Sequence, residues 1–335
     1  MSKFVIIGSG ALGSAFANIL IDAGQTDLCV YGIDETELAD LRQGYNQKYF
    51  GSEIKFHPIK TSNNLAAILK DAAYVVLAIP SVVIEQILAT IKKEINQPIV
   101  IINGCKGFYP NSEISIHTGI EKQIQAHPLI RGCVSIVGPS FAREMIVKAL
   151  TTICAVSHDL SLATEVQKIF YTPYFKLYTQ TDVVGAEVGG IYKNILAIGA
   201  GMLTRLGYQI NTLAAFLTRG LHEMQTFNQF MGGEFATIYG LTGLGDLILS
   251  ATDKKSRNFS FGFDYANNKE IMLQYKVGQT TLEGLFALQV VEKLRQKHQL
   301  YLPIAEAIYQ ILFHGQAIEA EILKLWSRDL RAEKA

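Results

Sequence analysis

The chain carries no net charge: over 335 residues, Lys plus Arg and Asp plus Glu each number 30. Without an overall field to gather nucleic acid or an anionic membrane, polyanion partners are not expected. Cysteine is rare, and Cys29, Cys105, Cys133 and Cys154 form no CxxC pair. That spacing removes the zinc and dithiol readings and points to free thiols in a reducing compartment. No run of about 18 residues is apolar without a polar or glycine interruption, so no integral membrane segment is expected. Met1–Lys3 leads straight into Phe4–Ile7, with no basic region, apolar stretch and cleavage site of a secretory signal, and the expected location is cytoplasmic. There is no Pro-rich linker, internal repeat or low-complexity tract. Neither GxSxG nor HExxH occurs, and the 7 histidines form no cluster with cysteine. Hydrolase and metalloenzyme chemistry are disfavoured, and no metal site is expected.

What the chain does have is length and apolar content. A hydrophobic share of 49% over this length exceeds what a single core fills and predicts two domains. Short β-branched runs at Phe4–Ile7, Leu28–Tyr31, Val75–Ile79, Ile99–Ile102 and Val134–Val137 alternate with helical patterns. That alternation predicts an α/β, doubly wound Rossmann-type N-terminal domain, a parallel sheet covered on both faces, over residues 1–181. From 182 to 335 long helical patterns, Asp182–Leu206 and Asn211–Met231 among them, follow one another without a clear strand, predicting an all-α C-terminal domain. Gly240, Gly243 and Gly245 interrupt that run, so Tyr239–Phe263 reads as a loop between helices and a candidate binding element.

Gly8, Gly10 and Gly13 spell G-x-G-x-x-G directly after the first strand and open a helix over Ala11–Ala23. The first glycine permits the tight turn, the second lets the backbone approach a pyrophosphate, and the third allows close packing of helix on strand. The helix N-terminus supplies oriented N–H groups for the anion. In this strand–turn–helix context the triplet predicts a dinucleotide site. Asp34 is the nearest carboxylate after the second strand. It can accept from a ribose 2′-hydroxyl, or it can cap the next helix with Glu37 completing a capping-box variant.

Two lysines stand where lysine is costly or informative. The segment Val183–Leu203 is apolar almost all round yet carries Lys193, which either pairs with Glu187, reaches solvent, or serves as a general acid and base whose pKa burial and nearby cations depress. Gly189, Gly190, Gly199 and Gly201 in the same segment predict close approach by another backbone or a ligand, or tight helix packing. Lys106 follows the strand Ile99–Ile102 at the carboxyl edge, where ligands of this architecture bind, and is either a site residue or a solvated turn lysine. Cys105 beside it reads as a packing residue. Ser256, Arg257 and Asn258 present hydroxyl, guanidinium and amide donors in a row, a set that can bind a phosphate or simply form a turn.

In this order, from about Phe4 to Gly315, the pieces resemble the NAD(P)-dependent glycerol-3-phosphate dehydrogenases. The blocks that carry the likeness are Gly8–Gly13, Ala78–Ser81, Cys105–Gly107, Gly138–Glu144 (GPSFARE), Glu187–Asn194 (EVGGIYKN), Thr218–Gly220, Gly243–Asp246, Ser256–Asn258, Glu283–Gly284 and Leu302–Ile304. The resemblance implies that Lys193 exchanges the proton at the substrate oxygen, with Lys106 and Asp246 completing the catalytic neighbourhood. It implies that Gly138 and Ser140 approach the substrate, and that Ser256, Arg257 and Asn258 hold its phosphate. It places the cofactor, NAD or NADP, against Gly8, Gly10, Ala11, Leu12 and Gly13, then Ile33 and Asp34, and against Lys106, Ala142, Arg257 and Glu283. The implied reaction is reversible reduction of dihydroxyacetone phosphate to sn-glycerol 3-phosphate, the backbone precursor of phospholipids. Its partners would be a small phosphorylated substrate and, as an assembly to be tested, a second copy in a homodimer.

Two positions depart from the family pattern. Ile33 stands where a basic residue often meets a 2′-phosphate, which puts NADP preference in doubt, although Arg42 or Lys48 could substitute. Leu12 stands where an aromatic is frequent. Two other readings stay open. One is a hydroxy-acid dehydrogenase of the same architecture, which would not require a phosphate on its substrate. The other is a cofactor-binding module without turnover, against which the joint presence of Lys106, Lys193 and Asp246 argues.

Overall fold

The structure, a computed structural model, describes residues 2–276 and 282–328. Parts of the expected helical region, 277–281 and 329–335, therefore lie outside the described residues. The chain separates into two compact units, Met1–Val183 and Val184–Ala335.

The first unit is built on one 8-stranded sheet in the order β3-β2-β1-β4-β5-β6-β7-β8. The strands are β1 Lys3–Ile7, β2 Leu28–Tyr31, β3 Lys60–Ser62, β4 Ala72–Leu77, β5 Ile99–Asn103, β6 Ile130–Val137, β7 Thr151–Val156 and β8 Phe175–Gln180. Side chains alternate between its faces. Phe4, Ile6, Val30, Val76, Val100 and Ile102 meet Phe16, Ile19 and Leu20 on one side. Val5, Ile7, Val75, Leu77, Ile99 and Ile101 meet Leu88, Ile91, Ile116 and Ile120 on the other. Burial on both faces explains why these strands read as unbroken apolar runs.

The strand order reverses between β1 and β4, and there the chain leaves both strands at their carboxyl ends, where an open α/β sheet binds its ligand.

Three features depart from the expectation. The sheet is not wholly parallel, because β6 and β7 pair antiparallel. The connection between them holds only the 5-residue helix Ala142–Ile146, too little to carry the chain back across the sheet as a parallel crossover does. The strand expected at Val75–Ile79 runs from Ala72 to Leu77, since Pro80 and the turn before it lead out of the sheet. Strands β3, β7 and β8 lie outside the expected set. The first is a 3-residue polar edge, Lys60–Ser62, with no apolar run to mark it.

The second unit holds no strand among its described residues. Helix Val183–Arg205 runs 23 residues and is buried nearly throughout. Helix Ile210–Met231 follows for 22 residues and stops at Gly232, whose φ of 93° lets the chain turn left-handed. Both match the expected helices to within a residue or two. Tyr239–Phe263 is not a loop. A π turn at Leu241–Gly245 runs into helix Asp246–Thr252, and helix Arg257–Tyr265 follows. The glycines that argued for a loop instead permit contact: a Cβ on Gly243 would lie 2.0 Å from Ile238 O. The helical stretch Phe235–Thr252 is long and apolar enough, by composition, to cross a membrane. Only 44% of it is buried in the unit, and it contains the ion-paired Asp246.

Candidate active site

Within the first unit the glycine fingerprint forms a cradle at the carboxyl end of β1. Gly8 has φ +120°, and a Cβ there would lie 2.2 Å from Ala78 O. A Cβ on Gly13 would lie 1.9 Å from Gly8 O, so the helix Ala11–Asp22 can approach the strand only without a side chain at that position. Gly10 differs. A Cβ there would meet only the Tyr49 ring, at 3.5 Å, an ordinary contact, so nothing in the protein's own packing demands a glycine at this position. Helix Ala11–Asp22 has no side-chain cap at Gly10 and no acidic residue in its first turn. Its leading N–H groups, including those of Ala11 and Leu12, are therefore suited to an anion. These features fit a dinucleotide with its pyrophosphate over Gly10.

At the end of β2, Ile33 is 89% exposed and offers no charge to a 2′-phosphate. The Asp34 carboxylate accepts from Thr36 N at 3.0 Å and Glu37 N at 3.4 Å, capping helix Glu35–Arg42. The Glu37 amide, the Thr36 amide and nearby Lys48 together hold it below the usual carboxylate range. The capping box does not close. Glu37 turns inward instead, 6% exposed, and accepts from Ser9 Oγ at 2.6 Å and Lys48 Nζ at 2.6 Å. Lys48 also lies 3.6 Å from Asp34. Arg42 bonds Thr61 and Glu35. The inward turn of Glu37 was not legible in the sequence, because its bond to Ser9 spans 28 positions and leaves no local signature.

At the ends of β5 and β6, Lys106 Nζ donates to Gly138 O at 3.3 Å and Ser140 Oγ to the same oxygen at 3.1 Å. Gly138 has φ +140°, and a Cβ on it would press on Ile153 at 2.9 Å. Ala142 begins the short helix that follows and packs on the core. Cys105 is buried with its thiol toward Ile79 O at 3.1 Å, as a packing residue would be. Leu12 Cδ2 lies 3.1 Å from where a Cβ on Gly104 would be, which brings the fingerprint helix against the lysine turn.

In the second unit Lys193 is 7% exposed and donates to Asp246 Oδ1 at 2.6 Å and to Ser250 Oγ at 2.8 Å. Asp246 is 0% exposed. The buried ammonium thus has Asp246 as a carboxylate partner and does not extend into solvent. Such a pair loses hydration on both sides and depends on close geometry to recover it. Gly189, one turn before Lys193 on the same face, makes that geometry available: a Cβ on it would lie 2.2 Å from Thr242 O in the π turn that delivers Asp246. Gly199 and Gly201 likewise admit Phe216 and the backbone at Phe259, so helix packing accounts for them. Ser250 was also missed. It stands four residues after Asp246 on one helical face, a spacing that carries no information while the segment reads as a loop.

Asn258 is buried and donates from Nδ2 to Asn194 Oδ1 at 2.9 Å, while its Oδ1 accepts from Gly284 N at 3.0 Å. Ser256 caps helix Arg257–Tyr265. Arg257 extends toward solvent with one guanidinium nitrogen 3.3 Å from Glu283 Oε1, and Glu283 Oε2 lies 3.5 Å from Asn194 Nδ2. Ser256, Arg257, Asn258 and Glu283 are therefore brought together, with Asn194 as the hub next to Lys193. Among the described residues no group of His, Cys, Asp and Glu could hold a metal ion.

Two family models cover most of the chain. The N-terminal model of NAD-dependent glycerol-3-phosphate dehydrogenase matches residues 3–163 and the C-terminal model matches 182–323. The glycerol-3-phosphate dehydrogenase [NAD(P)+] of Mycoplasma mobile is 47% identical over 332 residues, covering 99% of this chain and 98% of that protein. An enzyme of the same name from Clostridium botulinum is 35% identical over 334 residues, covering 99% of each. Among solved structures, glycerol-3-phosphate dehydrogenase from Coxiella burnetii superposes with a TM-score of 0.87 at 28% identity, over 98% of this chain and 99% of that one. A ketopantoate reductase from Staphylococcus aureus shares the general fold, with a TM-score of 0.54 at 14% identity over 95% of this chain and 99% of that one. The chain belongs to the NAD-dependent glycerol-3-phosphate dehydrogenase family.

Proposed function

We propose that this enzyme catalyses the reversible, NAD(P)H-dependent reduction of dihydroxyacetone phosphate to sn-glycerol 3-phosphate, supplying phospholipid synthesis, and that Lys193 is its general acid and base. The observation that carries the assignment is the buried ammonium held by Asp246 and Ser250 at 2.6 and 2.8 Å. Residues 1–181 hold the dinucleotide through Gly8, Gly10 and Gly13, and residues 182–335 supply the substrate groups. The bound nicotinamide supplies the hydride for the carbonyl carbon. Lys193 gives a proton to the carbonyl oxygen in reduction and takes it from the alcohol in oxidation. Asp246 and Ser250 each accept an N–H of the ammonium, Asp246 balances its charge, and together they fix its direction. Lys106 places a second positive charge for the developing alkoxide. Arg257, tethered by Glu283, and Asn258, oriented by Asn194 and Gly284, bind the phosphate with Ser256 beside them.

The location we propose is the cytoplasm, in keeping with four free cysteines. Loss of NADH or NADPH absorbance with dihydroxyacetone phosphate tests the reading directly. Equal turnover of a non-phosphorylated hydroxy acid would move the assignment to a hydroxy-acid dehydrogenase instead.

A further inference from the structure

A buried polar chain runs behind Lys106. Asn103 closes β5, and its side chain folds over the turn that follows. Oδ1 accepts from Cys105 N at 3.0 Å while Nδ2 donates to Cys105 O at 3.2 Å. The same Nδ2 donates to Ser135 Oγ at 2.9 Å, and Ser135 is the residue paired with Asn103 in the β5–β6 register. Ser135 Oγ lies 2.8 Å from His117 Nδ1. On the far side of the ring, His117 Nε2 is 3.1 Å from Glu121 Oε1, and Glu121 Oε2 is 3.6 Å from His158. Asn103, Ser135 and His117 are each 0% exposed.

The orientation of the Asn103 amide is determined by the turn it grips. The Cys105 N–H needs an oxygen, so the Asn103 amide nitrogen must face Ser135. Ser135 Oγ accepts from Asn103 and keeps both a second lone pair and its proton, so it pairs with His117 Nδ1 in either tautomer of the ring. A set of wholly buried polar groups costs desolvation that an apolar filling would not, and an ordered network of this kind gains specificity of position in return. The position it controls is local: Asn103 grips the backbone of Cys105, next to Lys106, and Ser135 lies three residues before Gly138, the acceptor of Lys106 Nζ.

We propose that Ser135 and His117 are positioning residues for Lys106, holding Asn103 so that the turn at Cys105 presents the Lys106 ammonium at the ends of β5 and β6. This rests on the reading of Lys106 as part of the active site. The test is a double-mutant cycle on kcat/KM for dihydroxyacetone phosphate, with the melting temperature of each variant measured alongside. Ser135→Ala is expected to lower kcat/KM between about tenfold and a hundredfold in the natural background, the scale of a small misplacement of a reacting group. In the Lys106→Ala background it is expected to cost almost nothing further, since no ammonium is left to misplace. A merely structural serine would give losses that add. His117→Phe, which keeps a ring and removes the hydrogen-bonding nitrogen, should act as Ser135→Ala does, and His117→Asn, which restores a hydrogen-bonding group, should recover most of the loss. If Ser135→Ala does not fold, the two histidine variants carry the same comparison. Additive losses, or full activity in both Ser135→Ala and His117→Phe, would overturn the proposal while leaving Lys106 in place. Full activity in Lys106→Ala would overturn the role of Lys106 itself and the proposal with it.

Discussion

The Lys193 ammonium reaches its partners from a helix that buries it, so loss of that one group should register in two ways. Lys193→Ala is expected to lower kcat/KM by about 10²- to 10⁴-fold, the usual contribution of a positioned acid and base. It also takes the ammonium from the Asp246 carboxylate, which is 0% exposed, and removing one partner of a buried pair costs about 3–5 kcal/mol. Steady-state kinetics with a melting curve on the same preparation separates the two, and near-normal turnover would remove the proposed role. At the cofactor end the decisive residue is Glu37. Lys48 is committed to Glu37 at 2.6 Å and approaches Asp34 at 3.6 Å. A 2′-phosphate would have to draw it away from a carboxylate that is nearly sealed from water. Glu37→Gln is therefore expected to raise the affinity for NADPH relative to NADH, read as the ratio of their dissociation constants by calorimetry. An unchanged ratio would show that Lys48 does not reach the 2′ position.

Between elements, contacts are close enough for single atoms to matter. Gly189→Ala would place a methyl 2.2 Å from Thr242 O, forcing the π turn off the buried helix and Asp246 away from Lys193. Overpacking of this kind costs about 1–3 kcal/mol. A fall in kcat/KM larger than the loss of stability accounts for is expected, and normal kinetics would deny the turn its role.

Glu223 joins three elements in the second unit. It accepts from Ile304 N at 2.6 Å and Ala305 N at 3.2 Å at the start of helix Pro303–His314, and from the Tyr192 hydroxyl at 3.2 Å. Burial pushes its carboxyl up to about 7 even though these donors oppose the shift. The folded state thus holds a proton that the unfolded chain releases near 4.5. Stability from this group is complete below that value and is lost as pH rises toward 7, by roughly 3 kcal/mol in all. Glu223→Gln should flatten the melting temperature over that window, and an unchanged slope would assign the pH dependence elsewhere.

For the molecule as a whole, a coenzyme that binds only the folded chain must stabilise it by mass action. At about 100 times its dissociation constant the gain is about 2.7 kcal/mol. NADH is expected to raise the melting temperature accordingly, and no shift at saturating coenzyme would count against a preformed dinucleotide cradle.

Much of this molecule is legible without coordinates, because its signals are local. Apolar runs located β1, β2, β5 and the end of β6, since a strand buried on both faces has little choice of composition. The glycines of the fingerprint declared themselves because a turn, an approach and a packing contact each exclude a side chain. Lys193 was visible as a charge in an apolar helix, and residues 183–203 are indeed buried almost without interruption. Tertiary structure decided what depends on partners distant in sequence. It chose Asp246 and Ser250, 53 and 57 positions away, as the companions of Lys193. It diverted Glu37 from a local cap to Ser9, and turned a glycine-rich stretch into a π turn pressed against Gly189. A side chain's propensity is a property of its neighbours in the chain. The carboxylate that compensates a buried charge, and the strand against which a sheet reverses direction, are set by which surfaces meet when the core closes.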